Sequence, residues 1–183
     1  GLFLTCAFDQ GIYVSVSERQ IDKKILIQTT DTQFCYSVKR IKHEIIREVL
    51  KYFGIKNKIQ INCFSTLPTQ SGLGTSSALI VGLIKGLSTL KRKNFTNKKI
   101  AQIAYKIERI SLGYKGGWQD QIASTFGGIL KVKISKKGVF KVKRLKLKNQ
   151  TIKKLNNHLV LVFTNEIRDS SNIIDAQKKK NKI

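Results

Sequence analysis

A glycine loop led by the chain's only proline, set between a strand-like run and a long apolar run, restricts this sequence more than any other feature. It reads Pro68-Thr69-Gln70-Ser71-Gly72-Leu73-Gly74-Thr75-Ser76-Ser77-Ala78. Upstream, Ile59-Gln60-Ile61-Asn62-Cys63-Phe64 alternates as a strand does, and downstream Ala78-Leu79-Ile80-Val81-Gly82-Leu83-Ile84 begins an apolar stretch of helical length. The loop is therefore expected to open a helix. There the first backbone N–H groups have no intrahelical partner and the helix dipole is positive, so an anion such as a nucleotide phosphate is favoured. Gly72 and Gly74 allow the backbone to come close to it. A Walker loop is excluded, because Gly74 is followed by Thr75 and not by Lys, and a dinucleotide fingerprint lacks its third glycine. The plainer alternative is an ordinary strand-to-helix turn in which Ser and Thr act as N-caps.

A second constellation lies downstream: Ala104-Tyr105-Lys106-Ile107-Glu108-Arg109, then Gly116-Gly117-Trp118-Gln119-Asp120-Gln121 and Phe126-Gly127-Gly128. Mg²⁺ prefers hard oxygen ligands, one or two of them from protein beside phosphate oxygens and water, so the Ser76 hydroxyl and the Glu108 carboxylate suffice as a protein contribution. Asp120 is then free to accept or orient the proton of an attacking hydroxyl in phosphoryl transfer. Gly116 and Gly117 permit close approach of a substrate. The plain alternatives are a solvated helix residue at Glu108 and a helix cap at Asp120.

With these residues in place, the chain resembles the GHMP kinases (galacto-, homoserine, mevalonate and phosphomevalonate kinases). Their second motif is Pro, three residues, then Gly-Leu-Gly-Ser-Ser-Ala; here Thr75 replaces the first Ser and Ser77 the first Ala. Within that superfamily the likeness is to the heptose 7-phosphate kinases, whose pattern runs Ile-Glu, Gly-Lys-Gln-Asp-Gln, Phe-Gly-Gly. Trp118 stands where that pattern has Lys, as in L-fucose kinases, whereas the segments Val38–Leu50 and Leu161–Asn165, with Arg168, Ser170, Ser171, Ile173 and Gln177, favour the heptose branch. The resemblance implies an α+β fold. An ATP-binding N-terminal domain, a two-layer α/β sandwich like that of certain ribosomal proteins, takes residues 1–155, and a ferredoxin-like C-terminal domain begins over 156–183. It implies ATP and Mg²⁺ as cofactors. Pro68, Ser71, Gly72, Leu73, Gly74, Thr75, Ser76 and Ser77 cradle the ATP phosphates, Ser76 and Glu108 hold the metal, Asp120 is the base, and Gly116, Gly117 and Gln119 meet the sugar. The expected reaction phosphorylates the anomeric hydroxyl of D-glycero-D-manno-heptose 7-phosphate, giving the 1,7-bisphosphate for nucleotide-activated heptose synthesis; an L-fucose-type sugar 1-kinase is the alternative.

The resemblance also implies a Gly-Gly-Gly-Thr-Asp motif ahead of Leu2 and a third glycine-rich motif beyond Ile183. With no methionine anywhere in 183 residues, the sequence reads as a fragment that carries the nucleotide loop and base but only part of a sugar pocket. No apolar run approaches the ~20 residues that span a bilayer, so no membrane partner is expected. Cys6, Cys35 and Cys63 lie in strand-like apolar contexts without metal-site spacing, which fits reduced core thiols in the cytoplasm. His43 and His158 read as structural.

A net charge of +24 invites a different reading. Lys131-Val132-Lys133-Ile134 and Phe140-Lys141-Val142-Lys143-Arg144-Leu145-Lys146-Leu147-Lys148 alternate basic and apolar residues, which at period two puts the lysines on one face of a strand pair. That is first a solvated sheet face. The alternative is a nucleic-acid-binding module, although aromatics interleaved with the basic residues, expected of a single-strand binder, reduce to Phe140.

The remaining elements follow from periodicity and punctuation. Strands are expected within Phe3–Ser17, Lys24–Thr29 and Phe34–Ser37. Helices should cover Ile41–Phe53, stopped by Gly54, then Ser76–Leu90, and Lys98–Ser111 capped by Thr96 or Asn97. A short helix should follow Asp120, then a basic hairpin turning at Lys137-Gly138. A buried strand over Leu159–Thr164 and a helix over Ser170–Lys179 complete the reading.

Overall fold

The computed structural model describes residues 1–67 and 71–162. Its strands are β1 (Leu2–Cys6), β2 (Ile12–Glu18), β3 (Ile25–Gln28), β4 (Thr32–Cys35), β5 (Ile59–Ser65), β6 (Ile129–Ile134) and β7 (Phe140–Arg144). The helices are α1 (Glu44–Tyr52), α2 (Thr75–Leu90), α3 (Asn97–Tyr105), α4 (Gln119–Phe126) and α5 (Asn149–Asn157). The fold is α+β, as expected. Among the described residues no helix is long and apolar enough to cross a membrane.

Two sheets carry the strands. One has the order β2-β5-β3-β4, with β3 and β5 parallel and the other pairs antiparallel. Parallel neighbours need a crossover, and here β4 and α1 lie between them in the chain. The second sheet is β1-β6-β7, all antiparallel, and pairs the start of the chain with the basic hairpin. In that hairpin Lys131 faces Lys143 and Lys133 faces Lys141 on the exposed side, while Leu130, Val132 and Phe140 are buried. Gly138, at φ 74°, makes the expected turn.

The helix α2 is apolar around most of its circumference because it is packed on several sides. Ile80, Leu83, Ile84 and Leu87 have no exposed surface, and α2 contacts α1, α3, α4 and β2. Gly82 and Gly86, one turn apart, let it lie directly on β2. A Cβ added at Gly82 would come within 2.9 Å of a Val14 methyl, and one at Gly86 within 2.9 Å of a Val16 methyl. A smaller apolar cluster, built on Ala101, Ile122, Leu130, Val132 and Phe140, joins the hairpin sheet to α3 and α4.

Several expected boundaries move. The strand expected at Phe34–Ser37 is Thr32–Cys35, and the helix expected from Ile41 starts at Glu44, because Val38–Arg40 forms a 3-10 turn and Ile41 is extended. The helix expected to run to Ser111 stops as an α-helix at Tyr105 and continues over Lys106–Ser111 as a π-helix. Its Thr96 cap is as expected, accepting a hydrogen bond from the Lys99 amide. The short helix begins at Gln119, one residue ahead of Asp120.

Near the end of the described chain two expectations need correction. The helix α5 was not foreseen, since its apolar residues are few and none of its residues is buried. Leu159–Val162, expected to begin a buried strand, are exposed and unpaired. Their apolar side chains meet no neighbouring strand among the described residues. Phe163, Thr164 and the expected helix Ser170–Lys179 lie outside them. Cys6 is also corrected: it is exposed, whereas Cys35 is buried and Cys63 half-buried, and burial raises both of their thiol pKa values, that of Cys63 to about 11.

Replacing Gly86 by Ala should lower stability despite the ~1 kcal/mol that Ala gains over Gly in a helix, because overpacking a close contact costs ~1–3 kcal/mol. The expected net loss is up to ~2 kcal/mol by urea unfolding. Adding Val16→Ala should reduce the loss caused by Gly86→Ala; an undiminished loss in the double variant would show that the contact with Val16 is not its cause.

Candidate active site

The glycine loop ends in a helix start without a side-chain cap. Gly72 and Gly74 lie at φ 74° and 73°, in the left-handed region that favours glycine. Gly74 is the N-cap residue of α2, its carbonyl accepting from the Ala78 amide, and it has no side chain to cap the first turn. The amides of Thr75, Ser76 and Ser77 thus form the positive end of a sixteen-residue helix, without an intrahelical partner. Gly74 has a second reason to be glycine: a Cβ there would stand 3.2 Å from both Cβ and Cγ of Asp120.

Glu108 is the electrostatic centre of the site. It lies in the π-helical turn after α3 and is 1% exposed. Such a carboxylate requires hydrogen-bonding partners, and it has three neutral ones. Ser76 Oγ donates to Oε1 at 2.6 Å, Ser77 Oγ donates to Oε2 at 2.5 Å, and Gln121 Nε2 donates to Oε2. The Arg109 guanidinium is 3.8 Å from the same Oε2. Ser76 and Glu108, far apart in the chain, are therefore neighbours, and a hydroxyl beside a carboxylate is a hard-oxygen pair of the type that suits Mg²⁺.

Asp120 is on the first turn of α4, beside the loop. It borders an open cleft of about 390 Å³ whose wall includes Thr5, Leu73, Gly74, Thr75 and Lys85. Asp120 is exposed toward the cleft, and partial desolvation by the surrounding protein raises its pKa above the ordinary carboxylate value. The charge of Glu108 raises it further, and Arg109 opposes the shift.

The other expected site residues divide into groups. Leu73, Gly74 and Thr75 line the cleft, and Gly72 shapes the turn before them. Ser71 is half-exposed, with a buried hydroxyl lacking a partner among the described residues. Pro68 lies outside those residues. The Ser77 side chain is fully buried against Glu108, so only its backbone remains for a phosphate. Gly116, Gly117 and Gln119 do not line the cleft. Their segment wraps Arg109, which donates to the carbonyls of Tyr114, Lys115 and Gly117, and a Cβ on Gly116 would meet its guanidinium at 2.7 Å.

Trp118 also faces away from the cleft. It stacks on Tyr105 at 3.7 Å and 6° and packs against Phe140, tying the hairpin to α3. Two supports of Glu108 are not expected from the sequence: Gln121 and the Ser77 hydroxyl. The amide beside Asp120 in Gln-Asp-Gln was the only available signal.

Residues 38–128 match the family described as GHMP kinases N terminal domain. The chain belongs to the GHMP kinase superfamily. This GHMP kinase chain is 33% identical, over 98% of its length and 56% of the relative's, to the D-glycero-alpha-D-manno-heptose 7-phosphate kinase of Campylobacter jejuni subsp. jejuni serotype O:2. Over 60% of its length it is 35% identical to the bifunctional fucokinase/GDP-fucose pyrophosphorylase of Arabidopsis thaliana, of which it covers 10%. A crystal structure of a D-glycero-D-manno-heptose 1-phosphate kinase from Bacteriodes thetaiotaomicron superposes with a TM-score of 0.78 at 25% identity, covering 85% of this chain and 54% of that one. The chain thus spans little more than half the length of these heptose kinases.

Gln121→Leu, which keeps bulk but removes the donor, should destabilise the GHMP kinase domain by ~1.5–3 kcal/mol, the usual worth of a hydrogen bond to a charged group. Urea unfolding at neutral pH checks it. Adding Glu108→Gln should shrink the penalty; equal penalties in both backgrounds would show that Gln121 does not act through the carboxylate.

Proposed function

We propose that the protein containing this chain is an ATP-dependent sugar kinase that phosphorylates the anomeric hydroxyl of a heptose 7-phosphate, yielding the 1,7-bisphosphate. The observation that carries this reading is the Ser76–Glu108 pair beneath an uncapped helix N-terminus, with Asp120 against the same loop. Likeness to the heptose 7-phosphate kinase over nearly the whole chain supports the choice of sugar. The L-fucose alternative rested on Trp118, and that side chain packs on Tyr105 and Phe140 outside the cleft, so it gives no preference between acceptors. The lysines of the hairpin lie on the outer sheet face, apart from this site.

In this reading the amides of Thr75, Ser76 and Ser77 receive nucleotide phosphate oxygens, using the dipole of α2. Ser76 and Glu108 would hold Mg²⁺, which supplies charge neutralisation on the transferred phosphoryl group. Ser77 and Gln121 keep Glu108 Oε2 fixed, leaving Oε1, now bonded to Ser76, as the oxygen that faces the loop. Asp120 orients the sugar hydroxyl and takes its proton. A raised pKa makes it a better proton acceptor than an ordinary aspartate. The sign for stability is opposite: the folded state holds the Asp120 proton more tightly than the unfolded one, so this group's favourable contribution is present at low pH and is lost as pH rises through the raised pKa.

Steady-state kinetics with heptose 7-phosphate and Mg·ATP on the full-length protein test the assignment. Asp120→Asn should lower kcat by about 10²–10⁴-fold with little change in the KM for ATP. The acidic limb of the wild-type pH–rate profile should fall above the ordinary aspartate pKa of ~3.9, because the base must be ionised to act. Glu108→Gln should raise the Mg²⁺ requirement. A kcat for Asp120→Asn within ~3-fold of wild type, far inside the general-base range, removes Asp120 from the mechanism.

A further inference from the structure

Among the described residues that line the cleft, Asp120 and Lys85 are the only charged ones. Lys85 belongs to the face of α2 that forms the wall: Thr75, Ala78, Gly82 and Lys85 recur at three- and four-residue steps and all border the cleft. Between Thr75 and Lys85 the α2 residues that border the cleft are Ala78, Val81 and Gly82, so that wall carries no other polar side chain for a ligand to meet. Lys85 Nζ donates to the Thr125 carbonyl at 3.4 Å, near the C-terminal end of α4, where the helix dipole also favours a cation. An ammonium has three donors, and this bond uses one.

The two charges therefore lie toward opposite ends of α4. Asp120 is at the start of α4 and Thr125 near its end, about 7.5 Å further along the helix axis. Resting on the kinase reading above, we propose that Lys85 is the anion-binding end of the acceptor subsite, holding a phosphate remote from the hydroxyl that faces Asp120. The substrate class is then a sugar phosphate with its phosphate distal to the accepting hydroxyl. A neutral sugar leaves the Lys85 ammonium without its anionic partner. The nucleotide is the other source of phosphate, but the open amides of α2 begin ten residues before Lys85, about 15 Å away along the helix.

Calorimetry without nucleotide on the full-length protein tests the subsite, with heptose 7-phosphate and the unphosphorylated heptose as probes. Lys85→Gln should weaken the sugar phosphate by about 10- to 100-fold, the scale of one charge-assisted hydrogen bond. It should leave the neutral sugar's affinity as it was, and Lys85→Arg should restore most of the loss. In turnover assays Lys85→Gln should raise the KM for the sugar phosphate and not the KM for ATP. Equal affinities of wild type and Lys85→Gln for the sugar phosphate overturn the proposal, as does an equal loss for both sugars, which would reduce Lys85 to a support for α4. A rise confined to the KM for ATP assigns it to the nucleotide and also overturns it. A wild-type protein that binds the sugar phosphate through Lys85 but transfers no phosphoryl group upholds the subsite and counts against the kinase reading alone.

Discussion

A buried carboxylate holds the site together. Glu108 comes from the π-turn after α3, its donors Ser76 and Ser77 come from the first turn of α2, and Gln121 comes from α4. An unpaired charge at 1% exposure would be costly. The three segments are therefore obliged to meet, and their meeting puts the glycine loop beside Asp120. The π-turn contributes by placing Glu108 next to Ile107 on the buried side. Such turns recur at functional sites.

Packing beneath the site is equally tight. The helix α2 lies so close to β2 that Gly82 and Gly86 leave no space for a methyl. That contact fixes the height of α2 over its sheet, and with it the position of the cleft wall formed by Ala78 and Gly82. The second sheet is held through a separate cluster, in which Trp118 links Tyr105 of α3 to Phe140 of the hairpin. The residue where the sequence departs from the heptose-kinase pattern thus serves the scaffold. The same sheet brings β1 to the cleft through Thr5 and the exposed Cys6.

Local patterns were legible wherever a few adjacent residues set the physics. Alternation marked β5 and the hairpin, glycines marked the turns at Gly54 and Gly138, and Thr96 marked the start of α3. The reading failed where the deciding partner was distant. Leu159–Val162 look like a buried strand only if a strand exists to pair with them, and among the described residues none does. The space beside Gly116 is taken by the Arg109 guanidinium, a neighbour that spacing along the chain does not announce.

The sequence by itself determined that a glycine loop opens a long buried helix, that Gly72 and Gly74 stand where left-handed backbone is needed, and that Ser76, Glu108 and Asp120 offer hard oxygen atoms. These follow from local backbone sterics, helix electrostatics and the donor atoms of single side chains. Only the tertiary structure decided that Ser77 serves Glu108 and not the loop surface, that Gln121 is the third donor, and that Lys85 and Asp120 face one cleft. These pairings join residues 13 to 32 positions apart, or a helix wall to another helix's end. Which donors reach a buried charge depends on how helices pack, and spacing along the chain does not encode that.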